Sequence, residues 1–158
     1  MFREMRRFKQ QLPVEDCIAL LQEEKRGVLS VLGDEGYPYG MPMNFWYEPE
    51  NGKIYFHTAK AGHLQDAIAG CDKVSFCIYD RGYRREGEWA WNVKSVIVFG
   101  RIRIVEDPAV VETMTRRLGY KYTDDSEYVE REIRISTKNV RCLELTPEHI
   151  TGKLVNES

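Results

Sequence analysis

The sequence predicts a mostly β protein with helices at its margins, an antiparallel barrel and not a regular alternation of strands and helices. Three observations carry this expectation. Runs with period-2 alternation recur between turn signals, as in KIYFHT (53–58) and KVSFCIYD (73–80). One stretch, WAWNVKSVIVFGRIRIVED (89–107), is long enough for a bent strand, with Gly100 as the bend. The helical patterns are few and do not alternate evenly with the strands.

PVEDCIALLQEEKRG (13–27) reads as the first helix, with Pro13 near its start, Glu15 and Asp16 in its first turn, and Lys25 and Arg26 before Gly27. VLSVL (28–32) is a strand that leads through GDEG into GYPYGMPMNFWYE (36–48). EPENG (48–52) is a turn, KIYFHT a strand, HLQDAIAG (63–70) a short helix stopped by Gly70, and KVSFCIYD a strand. RGYRREGE (81–88) is a charged loop, read as solvated or as a gate over a cleft. Asp107-Pro108 opens a helix to about Gly119, with Val110, Val111, Met114 and Leu118 at helical spacing. Residues 120–135 are polar, helical at YVEREI, with Asp124 and Asp125 on a solvated face, and RCLELT (141–146) closes the chain as a strand.

A length of 158 residues with 42% hydrophobic and 30% charged content fits one domain, 1–158, that buries its own core. The net charge of -2, with acids and bases interspersed, argues against a nucleic-acid surface. No apolar run approaches the roughly 20 residues that span a bilayer, so no membrane partner is expected. MFREMRRFKQQ is basic but lacks a following apolar segment, so it does not read as a secretory signal. Cys17, Cys71, Cys77 and Cys142 form no C-x-x-C pair and read as free thiols, which fits a reducing cytoplasm.

No side-chain-driven active site is announced: there is no G-x-S-x-G, H-E-x-x-H, Walker A or G-x-G-x-x-G. His57 and His63 with Cys71 and Cys77 match no structural zinc spacing, and no metal is expected. IYFHTAKAGHLQDAI (54–68) is a strand, a short loop and a helix start. Helix N-termini present free N–H groups, and Thr58, Lys60 and His63 would add donors while Gly62 permits close approach, so the segment reads as a phosphate site or as a simple connection. Pro38 and Pro42 interrupt an aromatic strand. Their missing donors mark either a plain edge strand or a strand whose backbone around Met43, Asn44 and Phe45 faces a planar ligand, with Trp46, Tyr47 and Phe56 as stacking surface. An isoalloxazine ring wants both features.

Taken together, MRR (5–7), GYPYGMPMNFWY (36–47), IYFHTAKAGH (54–63), KVSFCIYD (73–80), SVIVFGRIRIVED (95–107) and PEHITGK (147–153) make the chain resemble, over nearly its whole length, the pyridoxamine 5'-phosphate oxidase-like family of FMN-binding split barrels, in its nitroimidazole-resistance-like branch. The resemblance implies a six-stranded antiparallel split β-barrel that forms a homodimer with FMN in two clefts across the interface. It implies flavin contacts from Pro42, Met43, Asn44 and Phe45 on one strand and from Phe56, His57, Thr58 and Ala59 on the next. The phosphate end falls near Lys60 and His63, and Ser95 approaches from the other subunit. Leu64 stands where the family commonly has a lysine, which leaves Lys60, His63 or an arginine such as Arg81 or Arg84 to supply the cation. His57 is the candidate catalytic residue, with a satisfied structural histidine as the other reading; His149 reads as structural. The implied function is a cytoplasmic FMN oxidoreductase serving a small-molecule electron donor and a small acceptor such as a nitroaromatic. A flavin or heme binding module without turnover is the alternative.

Overall fold

The structure, a computed structural model, describes residues 1–136 and 138–156. After a 3-10 turn at Phe8–Gln10 come α1 (Val14–Glu23), β1 (Arg26–Leu32), β2 (Pro38–Asn44), β3 (Trp46–Glu48), β4 (Lys53–Ala59), α2 (His63–Gly70) and β5 (Lys73–Tyr79). Then follow β6 (Tyr83–Arg84), β7 (Trp91–Ile104), α3 (Pro108–Tyr122), α4 (Ser126–Ser136) and β8 (Val140–Asn156). One antiparallel sheet runs in the order β2-β1-β5-β7-β8-β4-β3, with β6 beside β7. The six strands of seven or more residues curl into the expected split barrel, and β3 and β6 are short additions.

Period-2 alternation decides which side chains enter the barrel. Leu29 and Val31 of β1, Val74, Phe76 and Ile78 of β5, Val96 and Val98 of β7, and Leu143 and Leu145 of β8 all point inward and are buried. Phe76 takes Phe45 and Phe56 edge-on, with ring centroids 4.9 and 5.1 Å away, so three aromatic rings fill the centre. Cys17, Leu20 and Leu21 of α1 join this core. A second cluster, Tyr55, Val105, Met114 and Cys142, lies where α3 packs on the outer face of β4 and β8.

Gly100 is the bend the sequence predicts. The β7–β8 register shifts between Phe99 and Gly100, and a Cβ at Gly100 would fall 2.2 Å from the Thr146 carbonyl oxygen. Only glycine fits that approach.

Four expectations need correction. The first helix ends at Glu23, not Gly27, because Arg26 already pairs with Asn44 across β1 and β2. Gly27 is a strand position, where an added Cβ would meet the Phe76 ring at 2.4 Å. The last strand continues well beyond Thr146 to Asn156: PEHITGK, polar in sequence, pairs with residues 95–100 of β7, with Glu148 left over at the register shift. Finally, β6 puts a short ribbon within the loop at 81–88, and the Arg84 guanidinium lies 5.8 Å over the Trp91 ring. All four cysteines are free thiols; burial pushes Cys142 up to about 12. Among the described residues, no helix is long and apolar enough to cross a membrane and no group of His, Cys, Asp and Glu side chains is placed to hold a metal.

Candidate functional site

The two prolines sit on an edge. β2 pairs with β1 through an unbroken register from Arg26↔Asn44 to Leu32↔Pro38, and its other side has no strand partner among the described residues. Pro38 and Pro42 share one phase of the strand's alternation, so their missing donors lie on that unpaired side. The side in question faces β4. There, Trp46–Glu48 covers Lys53 to Tyr55 and leaves the same edge of β4 unpaired from Phe56 to Ala59. A split therefore runs between two strand edges that come close, and proline denies it the donors a continuous ladder needs.

A cleft of about 600 Å³ opens at this split. Its floor is Pro42, Met43 and Asn44 from β2, His57 from β4 and Val140 from β8. Thr115, Leu118, Gly119 and Tyr122 of α3 form one wall, and Tyr128, Val129, Glu132 and Ile133 of α4 the other. The corner after β2 is held from α3. The Tyr122 hydroxyl accepts from the Phe45 N–H at 3.0 Å and donates to the Lys25 carbonyl, while Lys121 Nζ donates to the Phe45 carbonyl at 3.0 Å. Burial, with Lys25 nearby, lowers Lys121 to about 8.

His57 is fixed by Thr115. The Thr115 hydroxyl donates to the Val111 carbonyl at 2.6 Å, which commits its one proton. Its 2.7 Å contact with His57 Nε2 therefore has the imidazole as donor, and the proton of the neutral ring sits on Nε2. Burial lowers the His57 pKa and favours that neutral form. Nδ1 has no partner among the described residues and is not sealed from solvent, so it offers a lone pair to the cleft that His57 lines.

Beyond Ala59 the chain turns into α2. Gly62 has φ 126, open space where a Cβ would stand, and no side chain caps the helix. Thr58 Oγ1 accepts from Gln65 at 3.4 Å, and Arg141 donates to the other atom of that amide, Gln65 Oε1, at 3.0 Å. Lys60 Nζ reaches the Lys138 carbonyl. His63 turns away: its Nε2 accepts from the Asp34 N–H at 3.1 Å and its ring stacks on Tyr39 at 4.1 Å.

The family described as pyridoxamine 5'-phosphate oxidase matches residues 13–154. The chain belongs to that family. Its fold is shared with solved structures of low sequence identity. A candidate 5-nitroimidazole antibiotic resistance protein of Bacteroides thetaiotaomicron is 19% identical with a TM-score of 0.76, covering 92% of this chain and 87% of that one. A conserved hypothetical protein of Mycobacterium tuberculosis is 14% identical with a TM-score of 0.80, covering 95% and 90%. An FAD-binding protein of Mycobacterium smegmatis is 22% identical with a TM-score of 0.68, covering 94% and 99%. No curated protein matches the sequence.

In this member of the pyridoxamine 5'-phosphate oxidase family, Pro42, Met43, Asn44 and His57 meet in one cleft, and Thr58, Ala59 and Lys60 follow at the approach to α2. Phe45 and Phe56 have fully buried rings, and Tyr47 is buried too, so Phe56 and Tyr47 are core and not the stacking surface expected of them. Ser95 lines a separate hollow of about 210 Å³ on the outer face of β7 and β8, with Arg3, Met5 and His149. His149 itself stacks on Phe2 at 4.6 Å. Arg81 lines a hollow with Lys25 and Arg26 at the start of β1, whereas α2 begins beside the far end of β1, where His63 meets Asp34. Arg141 is the arginine at α2, and Leu64 belongs to the core. Thr115, Tyr122, Glu132 and Arg141 carry no sequence signal, because each reaches the site from an element distant in the chain.

Proposed function

We propose that this chain is a cytoplasmic FMN-dependent oxidoreductase, a homodimer that holds the flavin along the split between β2 and β4 and serves a small-molecule donor and acceptor. The carrying observation is the proline-interrupted edge of β2 lying near an uncapped α2 N-terminus. The residues present fit the group. Free N–H groups at the start of α2, with Thr58, Lys60 and Arg141 around them, suit a phosphate dianion. Open backbone groups near Met43 and Asn44 suit the polar edge of a flat ring. When bound, flavin supplies reversible electron transfer. The chain orients it, limits water through the α3–α4 wall, and offers the His57 lone pair to a donor on either ligand.

A dimer is supported by the outward residues Tyr79, Trp91, Ile97 and Phe99, which are 63, 45, 37 and 42% exposed on neighbouring strands β5 and β7. Exposed apolar side chains on one sheet face are a common mark of a protein–protein interface. In the dimer, Ser95 on this face would reach the partner's cleft. Light scattering should give a dimer; a monomer that still binds flavin tightly would remove the shared cleft.

The phosphate assignment is tested by ligand truncation. Lys60→Ala or Arg141→Ala should weaken FMN much more than riboflavin, which lacks the dianion. Equal losses for both ligands would place the phosphate elsewhere. Titration with FAD alongside FMN decides between the two flavins, a comparison the likeness to an FAD-binding protein makes necessary.

A second reading, a flavin or heme module without turnover, draws on one observation: among the described residues, no lysine or arginine lines the cleft to neutralise a reduced ring. Bleaching of the yellow protein by a reduced nicotinamide supports the enzyme, a yellow protein that no donor reduces supports the module, and a Soret band indicates heme. The likeness to a candidate 5-nitroimidazole resistance protein makes nitroaromatics one acceptor class to try.

A further inference from the structure

The α2 end of the split and the cleft differ chemically. Beside α2, outside the cleft's own lining, lie Lys60 and Arg141, whose donors suit an anion. Under the α3–α4 hairpin the balance reverses. Among the described residues, Glu132 is the one charged side chain on the walls, half-buried, and it makes no ion pair with any of them. Its helical neighbours differ: Arg116 bridges Glu112 and Glu130 at 3.0 and 2.8 Å on the other side of the hairpin. On the floor of the same cleft, His57 presents only a lone pair, since its N–H is taken by Thr115. The Tyr122 hydroxyl is likewise committed, to Lys25 and Phe45. Leu118, Val129 and Ile133 supply apolar surface around these acceptors.

We infer that this cleft holds a subsite for a small planar cation, such as a protonated amine or amidine on an aromatic ring, with Glu132 as its specificity-determining residue. A carboxylate in a half-buried, partly apolar setting attracts a cation more strongly than it would in water, because screening there is weaker. The same setting penalises an anion, and it offers a neutral nitro group no opposite charge to attract it. The subsite would take the acceptor substrate, and in that role the inference rests on the oxidoreductase reading above. The preference itself is a property of the walls and needs no flavin.

The test uses three planar probes of similar size and different charge: benzamidine, nitrobenzene and benzoate. Their affinities are measured by calorimetry at low ionic strength on the protein as purified and again with excess FMN. Benzamidine should bind at least tenfold more tightly than either of the others, and Glu132→Gln should abolish the difference. Glu127→Gln, which removes an exposed charge from the first turn of the same helix, should leave it intact. Thermal melts show that both variants are folded. Equal affinities, a reversed order, or a preference that survives Glu132→Gln would overturn the inference. A protein that ignores FMN but keeps the Glu132-dependent preference would sink the flavin reading and leave this subsite standing.

Discussion

Glu144 and Glu132 are both carboxylates close to the outer face of β4 and β8, and their surroundings could hardly differ more. Glu144 is 3% exposed and accepts from Arg103 at 2.7 Å, Tyr55 at 2.8 Å and Lys53 at 2.9 Å. Burial pushes its pKa up, but these three donors outweigh burial and bring it below the usual carboxylate range. Glu132 has no comparable partner among the described residues and borders a cleft. A charge surrounded by its own chain's donors belongs to the fold. A charge left open beside a cavity belongs to whatever enters. Glu48, also buried, falls in the first group: Trp46 Nε1, Arg117 and the Glu50 N–H all donate to it.

The largest effect expected from this contrast is on stability. Glu144→Ala should cost about 3 kcal/mol, the low end for breaking a buried pair, because the tips of Lys53 and Arg103 can still reach water. Glu132→Ala should change stability by less than about 0.5 kcal/mol, as for ordinary surface sites. Urea titration of both variants checks the pair, and comparable losses would break the distinction.

Next in size is a charge placed where neither donors nor a cleft exist. Leu64 is only 8% exposed and packs in the barrel core. Placing a lysine there, Leu64→Lys, should therefore cost about 2 kcal/mol of stability by uncompensated burial and not strengthen FMN binding. Tighter FMN binding by a stable variant would show that the side chain can reach α2's N-terminus after all.

A smaller effect separates the groups by pH. Glu144 has a lowered folded-state pKa, so its contribution is full above the ordinary carboxylate value of 4.5 and is lost as pH falls through the lowered value. His57 is also lowered, from 6.5, so the unfolded chain takes up its proton first and stability begins to fall just below 6.5. Denaturation free energies across pH should show both losses. Glu144→Gln should flatten the lower one and His57→Gln the upper one; an upper step unchanged in His57→Gln would assign it to another group.

The smallest effect concerns one proton. Nitrogen NMR of His57 should show the Nε2–H form at pH 7.5, and Thr115→Val should release it into a mixture of tautomers with a stability loss of about 1 kcal/mol. A spectrum dominated by Nδ1–H in the unaltered protein would reverse the polarity assigned to the cleft floor.

Local features of the chain were readable before its shape was known. HLQDAIAG becomes a helix over the same eight residues, and Gly100 marks the bulge. Both depend on neighbours in sequence: an apolar repeat ended by glycine, and a glycine inside a β-rich run. PEHITGK failed that kind of reading because its strand character comes from a ladder with residues about fifty positions away. Gly27 looked like a helix stop, yet its reason for being glycine is the Phe76 ring. The site divides in the same way. Pro42, Met43, Asn44 and His57 lie in two segments whose residue types suggest a ligand, whereas Thr115 and Glu132 are unremarkable helix residues until the hairpin folds over β4.

The prolines of β2 have a consequence beyond ligand access. A barrel with a permanent gap exposes two strand margins to every other molecule of its kind, and such margins invite stacking into fibrils. Rings at Pro38 and Pro42 remove two amide hydrogens from one margin at a four-residue interval. The open margin beside β2 is thereby a poor template for another copy of the chain.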